Sequence, residues 1–377
     1  MLPLLLSISI GIASIFLPAL HPNLLTAIFS NFLTPEDLVF FTISFFIFYK
    51  YFDSLRLMLF RYVDPNSEFS YFPLCRLLRK HEGYAPLVLF GSLLCIIFSI
   101  LLAPTYVLIL RFAWSFFRNF LPLILLIFLS IIFLRENNRI GAFLIFLLSG
   151  VAGILVLKIS PPLLTPLFTG FFSLPYLLMD LEIRKRKSSF SLNLFRLKFK
   201  TMLKTSLLAT IASIPFSLIP TITSTQLSII LNRKRDEEKV ILNSGIDAAT
   251  PIFSLISLIA IGKSRSGCVE LIREFLYGFD QIFLLSLGCA ILSFLLSLLI
   301  YKISLRIHLR HYKKLLKCFA FILAIMILLL YGILSLPIML LGLTIAKLSE
   351  RLKVRKVNCM GSLMLPTLLY YLFSIRI

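Results

Sequence analysis

Leu17-Pro18-Ala19-Leu20-His21-Pro22-Asn23 interrupts the first apolar stretch of the chain. Ile219-Pro220-Thr221-Ile222-Thr223-Ser224-Thr225-Gln226 interrupts another about 200 residues later. Proline removes a backbone donor and does not continue a helix. In an apolar run such a break frees backbone groups that lipid cannot satisfy, so they must be enclosed by protein or line a wet cavity. Each break follows the same short phrase, Ile12-Ala13-Ser14 in one place and Ile211-Ala212-Ser213 in the other. Each is followed by a short apolar arm, Leu24 to Phe32 or Leu227 to Leu231. Neither arm is long enough to span the roughly 30 Å hydrocarbon core of a bilayer. Each region therefore reads as a re-entrant helical hairpin.

Composition sets the class. Of 377 residues, 59% are apolar and only 15% charged, with a mean hydropathy of +0.97. No soluble domain of this size hides that much apolar surface, which makes the chain an all-α polytopic membrane protein. The apolar runs are too long and too little alternating for an outer-membrane barrel. A net charge of +21 raises the question of nucleic acid, but the basic residues sit in short loops between apolar runs. There the positive-inside rule and anionic headgroups account for them, so no nucleic-acid partner is expected. The six cysteines are scattered without a C-x-x-C pair, so neither a zinc site nor a disulfide framework follows. The first Lys or Arg is Lys50, so the N-terminus lacks the basic region of a cleaved signal.

The longest polar interval carries Arg184, Lys185, Arg186, Lys187, Arg196, Lys198, Lys200 and Lys204. It divides the chain into residues 1–180, a basic cytoplasmic linker 181–204, and residues 205–377. Each flanking half fits one hairpin plus about five crossings: 38–60, 86–110, 119–134, 140–157 and 163–180, then 240–262, 274–300, 318–331, 332–346 and 357–375. An odd number of crossings makes the second half an inverted copy of the first. With the linker inside, the N-terminus lies outside the cell membrane. Arg61 to Lys80, Arg135 and Arg139, Arg233 to Lys239, Lys302 to Lys317 and Lys347 to Lys356 then fall inside. Lighter loops around Arg111–Arg118 and Lys263–Arg273 fall outside, in keeping with the positive-inside rule. The stretch 318–346 is short for two crossings, and a turn is expected near Tyr331-Gly332.

Broken helices at matching places in two halves are the sequence sign of a transporter's binding site. A half-helix N-terminus offers N–H groups and a positive dipole end that suit a carboxylate or phosphate. On that ground Pro18, His21 and Asn23, with Pro220, Thr223, Ser224, Thr225 and Gln226, are the expected substrate-binding residues. Plain helix capping by Asn, Ser and Thr is the competing explanation. Ionisable residues inside apolar spans are costly and functional by default. Asp247, in Ser244-Gly245-Ile246-Asp247-Ala248-Ala249-Thr250-Pro251, is expected with Asn243 to take a coupling ion, either a proton or sodium. The alternative makes Asp247 the buried partner of a Lys or Arg. Lys263 and Arg265 are best explained by interfacial snorkelling, with gathering of an anionic substrate as the alternative, and Asp53 with Arg56 by an interfacial position.

Four ordered stretches resemble a known family. They are Pro18 to Asn23; Val63-Asp64-Pro65-Asn66 leading to Phe72-Pro73-Leu74-Cys75-Arg76-Leu77-Leu78 and His81-Glu82-Gly83-Tyr84-Ala85; Asn243-Ser244-Gly245-Ile246-Asp247 through Phe253-Ser254-Leu255 to Gly262-Lys263-Ser264-Arg265-Ser266-Gly267; and Cys359-Met360-Gly361-Ser362-Leu363-Met364-Leu365-Pro366-Thr367. The set resembles the large permease subunit of the tripartite tricarboxylate transporters, TctA, in its archaeal branch. The family's glycines in the break loops are largely replaced here, by Ala19 after Pro18 and Thr221 after Pro220. The resemblance implies a soluble binding protein and a small membrane subunit as partners, and a homodimer.

The reading that follows is a secondary active permease for a small organic anion, a di- or tricarboxylate, working by alternating access. Apart from a coupling sodium ion or proton, no cofactor or metal is expected, and the chain carries no P-loop with which to use ATP. An alternative cargo is a lipid-linked anion such as a polyprenyl phosphate. An intramembrane enzyme ranks lower, because H-E-x-x-H and G-x-S-x-G are absent and the buried acids form no evident pair.

Overall fold

Helices flank both proline-containing stretches that the sequence singled out, while other prolines, such as Pro104, Pro122 and Pro251, lie inside helices. A computed structural model describes residues 2–16, 22–60, 73–78, 84–178, 199–218, 224–231, 233–276, 278–304 and 312–373. Helix α1 (Leu2–Phe16) ends before the first break, and α2 (Pro22–Phe29) begins after it, with proline at its first position, where a missing N–H costs nothing. Helix α3 (Pro35–Phe60) follows. The same order recurs as α9 (Phe199–Leu218), α10 (Ser224–Leu231) and α11 (Asp236–Ile261). Arms α2 and α10 have eight residues each, and α3 and α11 have 26 each. Pro18, His21, Pro220 and Thr223 lie outside the described residues.

Between and after these runs come α4 (73–78), α5 (Tyr84–Leu134) and α6 (Arg139–Ile159). The stretch after α6 is broken into α7 (Leu164–Phe168), a π-helical turn (Thr169–Ser173) and α8 (Leu174–Leu177). The second half continues with α12 (Gly267–Glu270), α13 (Phe279–Ser304), α14 (Tyr312–Tyr331), α15 (Ser335–Arg351) and α16 (Gly361–Phe373). The described residues form helices and no strands, and five helices are long and apolar enough to cross a membrane. The chain is an all-α polytopic membrane protein.

Two details bear on the expected crossings. The turn near Tyr331 is present: Gly332 takes φ 75° between α14 and α15, a left-handed conformation that favours glycine. The turn expected around Arg111–Arg118 is not. Helix α5 runs without interruption from Tyr84 to Leu134, because no glycine or proline falls between Pro104 and Pro122. The loop assigned there to the outside face is therefore helix.

The chain forms two compact units, each drawing helices from both sides of the basic interval. The first holds α1 to α4, α9, α11 to α13, α10 from Leu227 onward, and α5 up to Trp114. In it α1 lies along α3, where Gly11 leaves room for the Phe52 ring and Ser7 Oγ meets Ser44 Oγ at 2.7 Å. Helix α11 lies along α9, and Gly245 makes room for Cys95 of α5 and Ala209 of α9. Helices α3 and α11 are the most enclosed spans, 72% and 78% buried, against 33% for α13. The outer spans present Leu101, Leu108, Leu284 and Leu295, as a lipid-facing surface requires.

The second unit holds the end of α5 with α6 to α8 and α14 to α16. Small residues let its backbones touch: a Cβ at Gly153 would sit 2.0 Å from the Ser362 carbonyl oxygen of α16. Close backbone approach of this kind holds membrane helices together where no hydrophobic force drives them. Asn138 caps α6 by accepting from Gly141 N–H at 2.9 Å and donates to the Leu352 carbonyl at 3.0 Å. Buried Glu136 accepts from the Asn358 amide at 2.9 Å.

Candidate functional site

Polar side chains in the middle of α3 and α11 gather the first unit's candidate site. Lys50 stands alone among aromatic residues on α3, and its Nζ donates to Asp247 Oδ1 of α11 at 3.4 Å. Their side chains are 19% and 16% exposed, so the pair is largely enclosed and weakly screened. At that length it is looser than a charge-assisted bond of about 2.8 Å. Asn243 lies one turn before Asp247 on α11 and accepts from Ser228 Oγ of α10 at 3.1 Å. The second short arm is thereby tied to the face of α11 that carries Asp247.

The segment after α11 closes on the first arm. Gly262, at φ 65°, caps α11, its N–H donating to the Leu258 carbonyl at 2.9 Å. Lys263-Ser264-Arg265-Ser266-Gly267-Cys268 then turns into α12. Ser264 N–H donates to Glu270 Oε2 at 3.1 Å, and Ser266 N–H donates to Ser264 Oγ at 3.2 Å. Asn23, in the first turn of α2, accepts from Cys268 N–H at 2.9 Å. Three residues further along α2, Thr26 is fully buried, and its hydroxyl meets no partner among the described residues.

Arg265 is electrostatically coupled to Asp247. Burial lowers its guanidinium pKa to about 10, a shift that the carboxylate opposes. Cys268 is buried, and desolvation raises its thiol to about 11 against the pull of Ser266, the local backbone and Lys50. The cluster thus brings two basic side chains, Lys50 and Arg265, to one acidic side chain, Asp247, with the Cys268 thiol alongside. An enclosed group with a basic excess attracts an anion.

The expected residues are distributed unevenly over this geometry. Asn23, Asn243 and Asp247 belong to the cluster, and Asp247, largely enclosed, partners a lysine. Ser224 opens α10 and is buried, and Thr225 and Gln226 follow in its first turn. Arg56 is only 3% exposed and pairs with Asp53 within α3. Arg76 of α4 donates from Nε and Nη2 to both carboxylate oxygens of Asp236, at 2.8 Å each, anchoring the start of α11. That hydrogen-bonded carboxylate raises the Arg76 pKa above its ordinary value. Lys50 is not among the residues the sequence singles out, and Arg265, assigned there to snorkelling, bears instead on Asp247. A single lysine inside an apolar span was the available signal for the first. For Arg265, only the fold brings the segment after α11 back toward Asp247.

Discontinuous membrane helices whose short arms attach to enclosed ionisable groups are the architecture of many secondary transporters. Comparison with known proteins is more specific. Residues 1–361 match the Tripartite tricarboxylate transporter TctA family, and the chain belongs to that family. Membership gives it a role in transport, as a component of a tripartite transporter. It is also similar to an uncharacterized protein of Methanocaldococcus jannaschii, MJ1079, at 29% identity across 99% of each chain. No solved structure matches.

Proposed function

We propose that the chain is the permease of a secondary transport system moving a small di- or tricarboxylate across the cell membrane. Transport is coupled to sodium or proton entry and proceeds by alternating access. One observation carries the reading: Lys50 pairs with Asp247, and Arg265 acts electrostatically on the same carboxylate from the segment whose Cys268 N–H bonds Asn23 of α2. Two basic side chains to one carboxylate suit an anionic substrate. Pro18 and His21 in the first break, and Pro220, Thr223, Ser224, Thr225 and Gln226 in the second, are further proposed binding residues, each set at its own break. Asn243 and Asp247 are the proposed point of coupling.

Residues 1–180 and 205–377 act in this reading as inverted repeats joined by a cytoplasmic linker, with the N-terminus outside. The recurrence of an eight-residue arm followed by a 26-residue helix supports the repeat. A soluble binding protein and a small membrane subunit are the proposed partners, as the family's three-part name suggests. Uptake of labelled citrate, tricarballylate and succinate into proteoliposomes, with sodium or pH gradients and with the partner subunits supplied, tests the proposal. Gradient-dependent accumulation is expected, and Asn23→Ala should reduce it. Absence of accumulation for every carboxylate would remove it.

A further inference from the structure

We infer that Asp247 is a tethered stand-in for the substrate's carboxylate, holding Lys50 in the empty site and yielding it when substrate binds. The inference rests on the permease reading and assigns Asp247 a part in it. A largely enclosed lysine, its side chain 19% exposed, favours an anionic partner, because an uncompensated charge there is expensive. Asp247 supplies one at 3.4 Å, in a pair too long to be held tightly. Arg265 lies within electrostatic reach of the same carboxylate, so Asp247 keeps a cation when it leaves Lys50.

The surroundings permit that exchange. Helix α9 meets α11 through Ala209 beside Gly245, leaving its Lys204 and Lys200 five and nine residues away, roughly 7 and 13 Å along the axis. Among the titratable groups placed by the contacts above, those nearest Asp247 are Lys50 from α3, Arg265 and Cys268 from the segment after α11, and Cys95 beside Gly245 from α5. The carboxylates closest in sequence are already engaged: Asp53, one turn after Lys50 on α3, pairs with Arg56, and Glu270 accepts from Ser264 N–H and pairs with Arg273. The substrate itself takes over Lys50: its carboxylate replaces Asp247 there, while the displaced Asp247 turns to Arg265 and to an incoming cation. Coupling then follows from charge balance. A substrate carboxylate adds one negative charge to the cluster, and a sodium ion or proton at Asp247 restores it.

The test uses the purified full chain in detergent, in choline buffer without and then with sodium, titrated with citrate and with succinate. Thermal unfolding confirms that each variant is folded. If Asp247 leaves Lys50 free only about a tenth of the time, substrate affinity is reduced about tenfold, and Asp247→Asn recovers it. The variant should therefore bind about tenfold tighter and lose any sodium dependence of binding, while its uptake turnover falls. Asp247→Glu, whose extra methylene reaches further toward Lys50, should bind severalfold more weakly. In a Lys50→Gln background, Asp247→Asn should bring no gain. Weaker or unchanged binding by a folded Asp247→Asn protein overturns the inference, as does tighter binding by Asp247→Glu. If the wild type and all variants bind neither carboxylate, the permease reading itself falls.

Discussion

Lys50→Met removes the cation closest to Asp247 and tests how much of the first unit depends on that contact. At 3.4 Å, with an effective dielectric constant of about 20, the Coulomb attraction is about 5 kcal/mol. Desolvation of two largely enclosed groups offsets much of it, so the net value of the pair is small. Removing one partner is a different perturbation, because it leaves a buried carboxylate behind, which costs roughly 3–5 kcal/mol. Arg265 remains within reach of Asp247, so the lower figure, about 3 kcal/mol, is expected here. For a chain of 377 residues, unfolding entropy scaled from soluble proteins turns that into a fall of about 4 °C in Tm. Differential scanning fluorimetry in detergent reads the shift, and proteoliposome uptake should show KM raised at least about tenfold. Removing both charges, as Lys50→Met with Asp247→Leu, should return most of the stability and none of the uptake. A Tm within about 1 °C of wild type together with an unchanged KM for Lys50→Met would refute the reasoning. So would a double variant no more stable than the single.

Tyr106→Phe removes a hydroxyl that bonds Ser217 Oγ at 2.6 Å and Ser257 Oγ at 3.1 Å. The loss should cost about 1–2 kcal/mol and appear as a lower Tm, with the two serines left to find other partners. Gly153→Val places side-chain atoms where the Ser362 carbonyl already stands, 2.0 Å from a Cβ. The α6–α16 contact cannot form, and size-exclusion chromatography should show loss of the monodisperse peak. Gly332→Ala forces a side chain onto φ 75° and should lower stability by about 1 kcal/mol, with uptake preserved.

Proline made the fold readable where it interrupts apolar runs. The ends of α1 and α9 and the starts of α2 and α10 fall within a few residues of Pro18 and Pro220, because no other residue so firmly denies a helix its next bond. Gly332 marked the α14–α15 turn for a related reason. Charge misled at Arg111 and Arg118. Two arginines in an apolar stretch suggested a loop, yet arginine is a good helix former and nothing nearby breaks the helix. The site was half legible. Asp247 drew attention as a lone acid at membrane depth, but its partner Lys50 is 197 positions away in sequence, beyond any spacing rule. Arg265 carried an interfacial signature in sequence and became part of the cluster only through the chain reversal that Gly262 begins.

The register of the Lys50–Asp247 pair bears on the proposed inversion. Lys50 is the eleventh residue from the end of α3, and Asp247 is the twelfth from the start of α11, both helices having 26 residues. If the two helices run in opposite directions through the bilayer, at a rise of 1.5 Å per residue the pair lies at depths within about 2 Å of each other. If they ran in the same direction, the two residues would be offset by four positions, about 6 Å, and a lysine would have to bend along the helix to reach. Opposite direction is what inverted repeats require, so the pair supports that arrangement and makes it testable. Cysteines introduced at Asp37 and Glu237, near the starts of α3 and α11, can be placed in a background where exposed Cys318 is replaced by serine. A membrane-impermeant maleimide should label Asp37→Cys in intact cells and Glu237→Cys only after permeabilisation. Labelling of both from the same side would leave the two helices parallel and the inverted reading untenable.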